Sequence, residues 1–280
     1  NFSPIKRWAA LRDGDGLPIG RVRAPVNRTA EAASPGLAVT HRVGIGKPIG
    51  IELSGEAGGL MPDPAWKRER FDSDEDKRLR NDEWYLGDTY HVAIGQGYLL
   101  TTPLAVNVWT NIIAGNGVRC RPTIKKLASG KTERENCTSM ALKQETIDVI
   151  TRGMEEACAP GGTGWPLFNF GITKSNADQT PLTTEGIAAS ASGNLTKISI
   201  PVACKTGTAE FGDPKDRTHA WFTAFAPIAD AYVPADVKKT ENYLSGTPEI
   251  SVTVLVEGAG EGSNVAAPVA KKIFEEWFSR

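Results

Sequence analysis

Apolar residues along this chain recur with two spacings, and each predicts a different element. After Thr102-Pro103, Leu104, Val106, Val108, Ile112 and Ile113 follow at roughly helical intervals. Thr102 can cap that helix, Pro103 suits its first position, and Gly115-Asn116-Gly117 ends it. From Lys143 to Cys158, Ile147, Ile150 and Met154 share one face of a second helix, which Pro160-Gly161-Gly162 stops. A third helix is predicted from Ala266 to Phe278, with Val269, Ile273, Phe274 and Trp277 on its buried side. Strands are predicted for Pro201 to Phe211, His219 to Pro227 and Glu249 to Glu257, the last from its β-branched alternation. The turn-like Gly212-Asp213-Pro214-Lys215-Asp216 makes the first two a hairpin. Three antiparallel strands with a C-terminal helix across them form an α+β arrangement, an antiparallel sheet with flanking helices.

Elsewhere the pattern is weaker. Residues 1–12 read as a helix capped by Ser3 with Pro4 at its first position, running through Trp8-Ala9-Ala10-Leu11 to a break at Asp13-Gly14-Asp15-Gly16. Residues 13–43 read as irregular, 61–83 as a charged surface insert, 159–198 as long loops and 228–248 as a polar loop insert. Gly44-Ile45-Gly46-Lys47-Pro48-Ile49-Gly50 has the glycines of a phosphate loop. Pro48 and Ile51-Glu52-Leu53 make it extended where a nucleotide fingerprint needs a helix N-terminus. No internal repeat is present, and residues 1–280 are read as a single domain.

Composition narrows the class. The chain has 280 residues, 40% hydrophobic and 23% charged, with a formal net charge of -1. That is a globular composition, and its charge does not suggest a nucleic-acid partner. No run of 18 apolar residues is present to span a membrane. The first residue is Asn1 and not Met, so an N-terminal part is expected either to have been removed or to lie outside the sequence. Cys120, Cys137, Cys158 and Cys204 form no C-x-x-C pair and His41, His91 and His219 no zinc unit, so neither a metal nor a cofactor is expected. Cys120 and Cys137 are either a disulfide in an oxidising compartment or buried thiols.

Candidate chemistry concentrates on Lys205-Thr206-Gly207-Thr208. On a strand, Lys205 and Gly207 face one way and Thr206 and Thr208 the other. A cation, two hydroxyls and a glycine that admits a close ligand backbone suit a carboxylate, and backbone N–H groups there could face a developing oxyanion. The rival reading is an edge hairpin with a solvated lysine.

Several ordered segments then resemble one family: Lys205-Thr206-Gly207-Thr208-Ala209-Glu210, His219-Ala220-Trp221-Phe222 through Pro227, Ile94-Gly95-Gln96-Gly97-Tyr98 with Thr102-Pro103-Leu104, Gly44 to Glu56, and Glu257 with Ala266-Ala267-Pro268. Over roughly residues 44–280 they resemble the transpeptidase domain of penicillin-binding proteins, nearest the class B elongation group. The resemblance implies a penicillin-binding transpeptidase / serine β-lactamase-like fold, N-terminally incomplete here, because strands and a helix precede the nucleophile in the family and only two residues do here. It implies an enzyme that cross-links peptidoglycan stem peptides through a serine acyl-enzyme and is trapped by β-lactams. It also implies a glycosyltransferase partner in the membrane and an outward-facing location anchored to the cytoplasmic membrane by a segment outside this chain.

The family's S-x-x-K element fits Ser3-Pro4-Ile5-Lys6, the chain's one such spacing, with Ser3 as nucleophile and Lys6 as base. Lys205 would face that pair, lowering the Lys6 pKa and drawing the substrate carboxylate, which Thr206 and Thr208 would bind beside Gly207. The backbone N–H groups of Ser3 and Thr208 would form the oxyanion hole. The second element falls to Ser34, although Ser34-Pro35-Gly36 lacks the expected asparagine. Ser192-Gly193-Asn194 has the letters but is read as a turn. Cys204 stands where the family usually has glycine and is expected to crowd the strand. Two other functions remain open from the sequence: a catalytically silent cell-wall scaffold or binding module, and a β-lactamase or β-lactam sensor.

Overall fold

A computed structural model describes residues 43–125, 136–175, 195–239 and 242–280, with two short strands before them. Those strands, β1 (Leu11–Arg12) and β2 (Pro18–Ile19), pair antiparallel with Leu11 opposite Ile19. Leu11 and Arg12 therefore depart from the predicted helix over 1–12. Antiparallel pairing with β2 supplies those two residues with backbone partners that a helix would otherwise have to provide. Ser3, Lys6 and Ser34 lie outside the described residues.

The chain divides into two compact units, Asn1–Val108 with Arg119–Thr146, and Trp109–Val118 with Ile147–Arg280. In the first, the glycine-rich segment at 44–50 closes around a side chain of its own. The Glu56 carboxylate accepts from the N–H groups of Ile49, Gly50 (2.9 Å) and Ile51 (3.2 Å). Successive amides of this kind form an anion-binding concavity, and Glu56 fills it. The charged insert at 61–83 forms α1 (Pro64–Arg70), capped by Asp63, and α2 (Asp74–Leu79), capped by Ser73. It is not wholly solvated. Lys67 is buried and its ammonium sits 2.7 Å from Asp88 on α3 (Leu86–Ala93), with the rings of Tyr85 and Tyr98 near it.

Helix α4 (Pro103–Ala114) matches its sequence signature, and Thr102 caps it by accepting from Ala105 N–H at 3.1 Å. A two-stranded sheet follows, β3 (Val118–Cys120) with β4 (Cys137–Ser139), closed by a Cys120–Cys137 disulfide.

The second unit holds the large sheet. Helix α5 (Gln144–Cys158) ends where Pro160-Gly161-Gly162 was expected to stop it. The segment read as loops contains a strand pair, β5 (Gly171–Ser175) with β6 (Leu195–Ser199). Its Thr, Lys and Ser residues hide the alternation that would mark strands, while Ile172 and Ile198 face each other across it. Strands β7 (Ala203–Glu210), β8 (Thr218–Ala226) and β9 (Ile250–Val256) form one antiparallel sheet in that order. The β7–β8 turn is fixed by Asp213, whose carboxylate accepts from Lys215 N–H and from both backbone and guanidinium of Arg217. Those bonds hold its pKa well below the ordinary carboxylate value.

Both faces of this sheet are covered. On one, Cys204, Phe222, Ala224 and Val252 meet Leu167, Phe170 and the last helix, α6 (Ala267–Phe278). On the other, Ala203 and Phe225 meet Ile113 and Met154 from α4 and α5. Helix α6 turns a different face inward from the one its bulky residues suggested. Ala267, Ala270, Phe274 and Phe278 are buried, while Val269, Ile273 and Trp277 are exposed. Alanine at 267 and 270 lets the helix backbone approach the sheet, and two phenylalanines fill the widening gap beyond.

Candidate active site

Strand β7 carries the candidate chemistry, and β8 fixes its position. Lys205 pairs with Thr223, Thr206 with Phe222, Gly207 with Trp221 and Thr208 with Ala220. Among the described residues β7 is an edge of the sheet, with β8 on one side only. An edge strand presents backbone donors and acceptors to an extended peptide, which can join the sheet as a further strand.

Alternation puts Cys204 and Thr206 on the α6 face and Lys205 and Gly207 on the opposite one. Behind Lys205, three hydroxyls cross the structure. Thr223 lies 2.7 Å from Thr110 of α4 and 2.7 Å from Thr253 of β9. Thr110 is buried, so these bonds tie helix and sheet together where the lysine stands. A Cβ at Gly207 would come within 3.1 Å of the Trp221 Cβ, so a larger residue there would push on the neighbouring strand.

Lys205 forms no ion pair among the described residues, and its ammonium donates to the Thr206 carbonyl. The side chain is exposed by area, yet the protein around it desolvates it enough to lower its pKa from the ordinary lysine value. A cation short of water attracts a carboxylate more strongly than a fully hydrated one.

Two features here were not legible from the motif. Cys158, at the end of α5, is disulfide-bonded to Cys204 immediately before Lys205. Cys204 therefore does not crowd the strand. Its sulfur is fully buried and occupies space left by Gly164, where a Cβ would lie 2.5 Å from the Cys204 Sγ and 2.8 Å from the Cys158 Sγ. The second feature is Thr163, whose hydroxyl accepts from Thr206 at 2.8 Å. From the sequence, Gly162 belongs to the expected helix stop, and Thr163 and Gly164 only to the loops over 159–198. The pairing of Cys204 with a cysteine 46 residues away has no signal in spacing alone.

The description "Penicillin binding protein transpeptidase domain" matches residues 36–275. The chain belongs to the penicillin-binding protein transpeptidase family. Ser3, Lys6 and Ser34 precede the matched span. Among curated relatives, the peptidoglycan D,D-transpeptidase MrdA of Haemophilus influenzae is 31% identical over 248 residues, 85% of this chain and 31% of that protein. PbpA of Mycolicibacterium smegmatis, also a peptidoglycan D,D-transpeptidase, is 37% identical over 186 residues, 64% of this chain and 30% of that one. Of solved structures, Pseudomonas aeruginosa PBP2 in complex with WCK 5153 is 27% identical at a TM-score of 0.54, covering 86% of this chain and 42% of that one. The complex of Helicobacter pylori PBP2 with MreC gives 28% and 0.53, covering 85% and 35%. Both are PBP2 proteins, the elongation group the sequence resembles, and they share the α+β fold with antiparallel sheets. The chain spans about a third of the length of these curated transpeptidases. No helix among its described residues is long and apolar enough to cross a membrane.

Proposed function

We propose that this penicillin-binding domain is a peptidoglycan D,D-transpeptidase that works through a serine acyl-enzyme. The observation that carries the reading is Lys205-Thr206-Gly207-Thr208 on an edge strand, with a partly desolvated cation on one face of it and the Thr206 and Thr208 hydroxyls on the other. A stem peptide ending in D-Ala-D-Ala lies along β7 with its terminal carboxylate at Lys205, Thr206 and Thr208. Ser3 attacks the carbonyl between the two alanines as Lys6 takes its proton. The backbone N–H groups of Ser3 and Thr208 stabilise the tetrahedral oxyanion, and Ser34 is the candidate for the second motif. Collapse expels D-alanine, which leaves with the proton. The amine of a second stem then attacks the ester and restores the serine.

A β-lactam, whose carboxylate mimics the D-alanine terminus, would acylate the same serine and remain. The protein would act at the outer side of the cytoplasmic membrane, anchored by a segment beyond this sequence and beside a membrane glycosyltransferase. Support for that location comes from the two disulfides, which persist in oxidising compartments. Support for the partners is the resemblance to the elongation group.

The test is incubation with a fluorescent penicillin, followed by proteolysis and mass spectrometry. A stable adduct on the peptide containing Ser3 is expected. An adduct on another serine would remove Ser3 from its role. Rapid loss of the adduct would favour a β-lactamase, and no adduct at all a silent scaffold.

A further inference from the structure

The loop that follows α5 is built more tightly than a helix stop requires, and it delivers one hydroxyl to β7. Thr163 stands between two glycines, neither replaceable without a collision. A Cβ at Gly162 would lie 2.4 Å from the carbonyl oxygens of both Glu156 and Ala157, and one at Gly164 would meet the two disulfide sulfurs. The turn is closed by Gly162 N–H to the Ala159 carbonyl at 2.9 Å and Gly164 N–H to the Ala157 carbonyl at 2.6 Å. Cys158 precedes this turn and Cys204 lies two residues before Thr206, so the disulfide fastens the loop's start to the strand its hydroxyl contacts. Both cysteines are buried. The Thr163–Thr206 bond is thus held between a covalent tether and a glycine-bracketed turn, while both hydroxyls remain near solvent.

A hydroxyl donates once and accepts twice. Thr206 donates to Thr163. When a carboxylate arrives, Thr206 must turn its proton to that anion, and its oxygen then needs a donor in place of the acceptor it has lost. Thr163 supplies one by rotating its own hydroxyl, with no movement of heavy atoms. A donor to the Thr206 oxygen also makes the Thr206 hydroxyl a stronger donor to the anion.

We propose that Thr163 is a positioning residue for the substrate carboxylate, orienting and polarising the Thr206 hydroxyl, and that the Cys158–Cys204 disulfide keeps it within reach. This rests on the acyl-transfer reading above, and Thr163 itself touches neither substrate nor serine.

The test compares acylation by benzylpenicillin with acylation by its methyl ester, which lacks the carboxylate charge. In the wild-type protein the free acid should react faster. Thr163→Val and Thr163→Ala, each checked for folding by circular dichroism, should lower the acylation rate constant for the acid by about tenfold, the scale of a bond to a charged group acting at one remove. The ester rate should stay within about twofold, and Thr163→Ser should restore the preference for the acid. Cys158→Ala/Cys204→Ala should also erode that preference.

Equal losses with acid and ester, or no loss with either, would overturn the inference and leave the acyl-transfer reading intact. No adduct on the wild-type protein would overturn both. A second measurement needs no substitution at the loop: the acid-to-ester ratio of the wild-type protein before and after mild reduction. An unchanged ratio, with loss of the Cys158–Cys204 bond verified by mass spectrometry, would overturn the tether.

Discussion

Gly164→Ala isolates the space that lets Cys204 stand on β7. The glycine backbone is at φ -86°, ψ 39°, so alanine meets no left-handed strain there. The cost is therefore one of volume. The added methyl would lie 2.5 Å and 2.8 Å from two sulfurs and 3.0 Å from the Ala157 carbonyl oxygen. Carbon and sulfur need about an ångström more, and neither sulfur is the free end of a flexible side chain, because each is bonded to the other. Overpacking of this kind costs about 1–3 kcal/mol. Replacing glycine also restricts the unfolded chain, which returns roughly 0.4–1 kcal/mol. A net loss of about 1–2 kcal/mol follows.

The assay is urea denaturation, comparing midpoints and slopes. The decisive comparison uses a Cys158→Ala/Cys204→Ala background. With the sulfurs gone, the two closest contacts are removed and the Ala157 carbonyl at 3.0 Å stays, so the same Gly164→Ala change should cost clearly less, about 0.5 kcal/mol or below. An equal penalty in both backgrounds would refute the assignment of Gly164 to the disulfide.

Other changes probe the remaining parts. Lys205→Met should cut acylation by benzylpenicillin about 10²–10³-fold, the scale of losing one preorganised electrostatic partner. Its stability should not fall. Desolvation lowers the folded pKa of Lys205 from the ordinary lysine value, so between the two values the unfolded chain binds more protons. Wild-type stability should gain a component that rises with pH in that alkaline window, and urea midpoints should lack it in the methionine variant. Asp88→Asn would leave the buried Lys67 ammonium without its counter-charge, at a cost of about 3 kcal/mol in urea unfolding. Thr110→Val deletes the helix end of the three-hydroxyl chain and should destabilise by about 1–2 kcal/mol, with Thr223→Val giving a non-additive double-mutant cycle.

What the sequence made legible follows from which physical signals are local. Helices α4 and α5 announced themselves through caps, stops and period, and β7, β8 and β9 through turn chemistry and β-branched alternation. Lys205, Thr206, Gly207 and Thr208 stand on the predicted strand, with the predicted alternation. The pairing of β5 with β6 was hidden because its residues are largely polar and its partner lies far along the chain. Helix α6 misled through size: Val269, Ile273 and Trp277 looked like the core stripe, but the small alanines beside them allow the closer approach to the sheet. Thr163 and the Cys158–Cys204 bond depend on three-dimensional adjacency, which no spacing encodes. Ser3, Lys6 and Ser34 rest on the motif reading alone.

The central claim is that Lys205 to Thr208 bind the carboxylate of a D-Ala-D-Ala terminus while Ser3 attacks the adjoining carbonyl. Its most direct test is a single-turnover reaction with a stem pentapeptide, quenched in acid and mapped by mass spectrometry. The account predicts a burst of one equivalent of free D-alanine, the acylated tetrapeptide on Ser3, and loss of both in Lys205→Met. No D-alanine burst, or an acyl group on any residue other than Ser3, would contradict it.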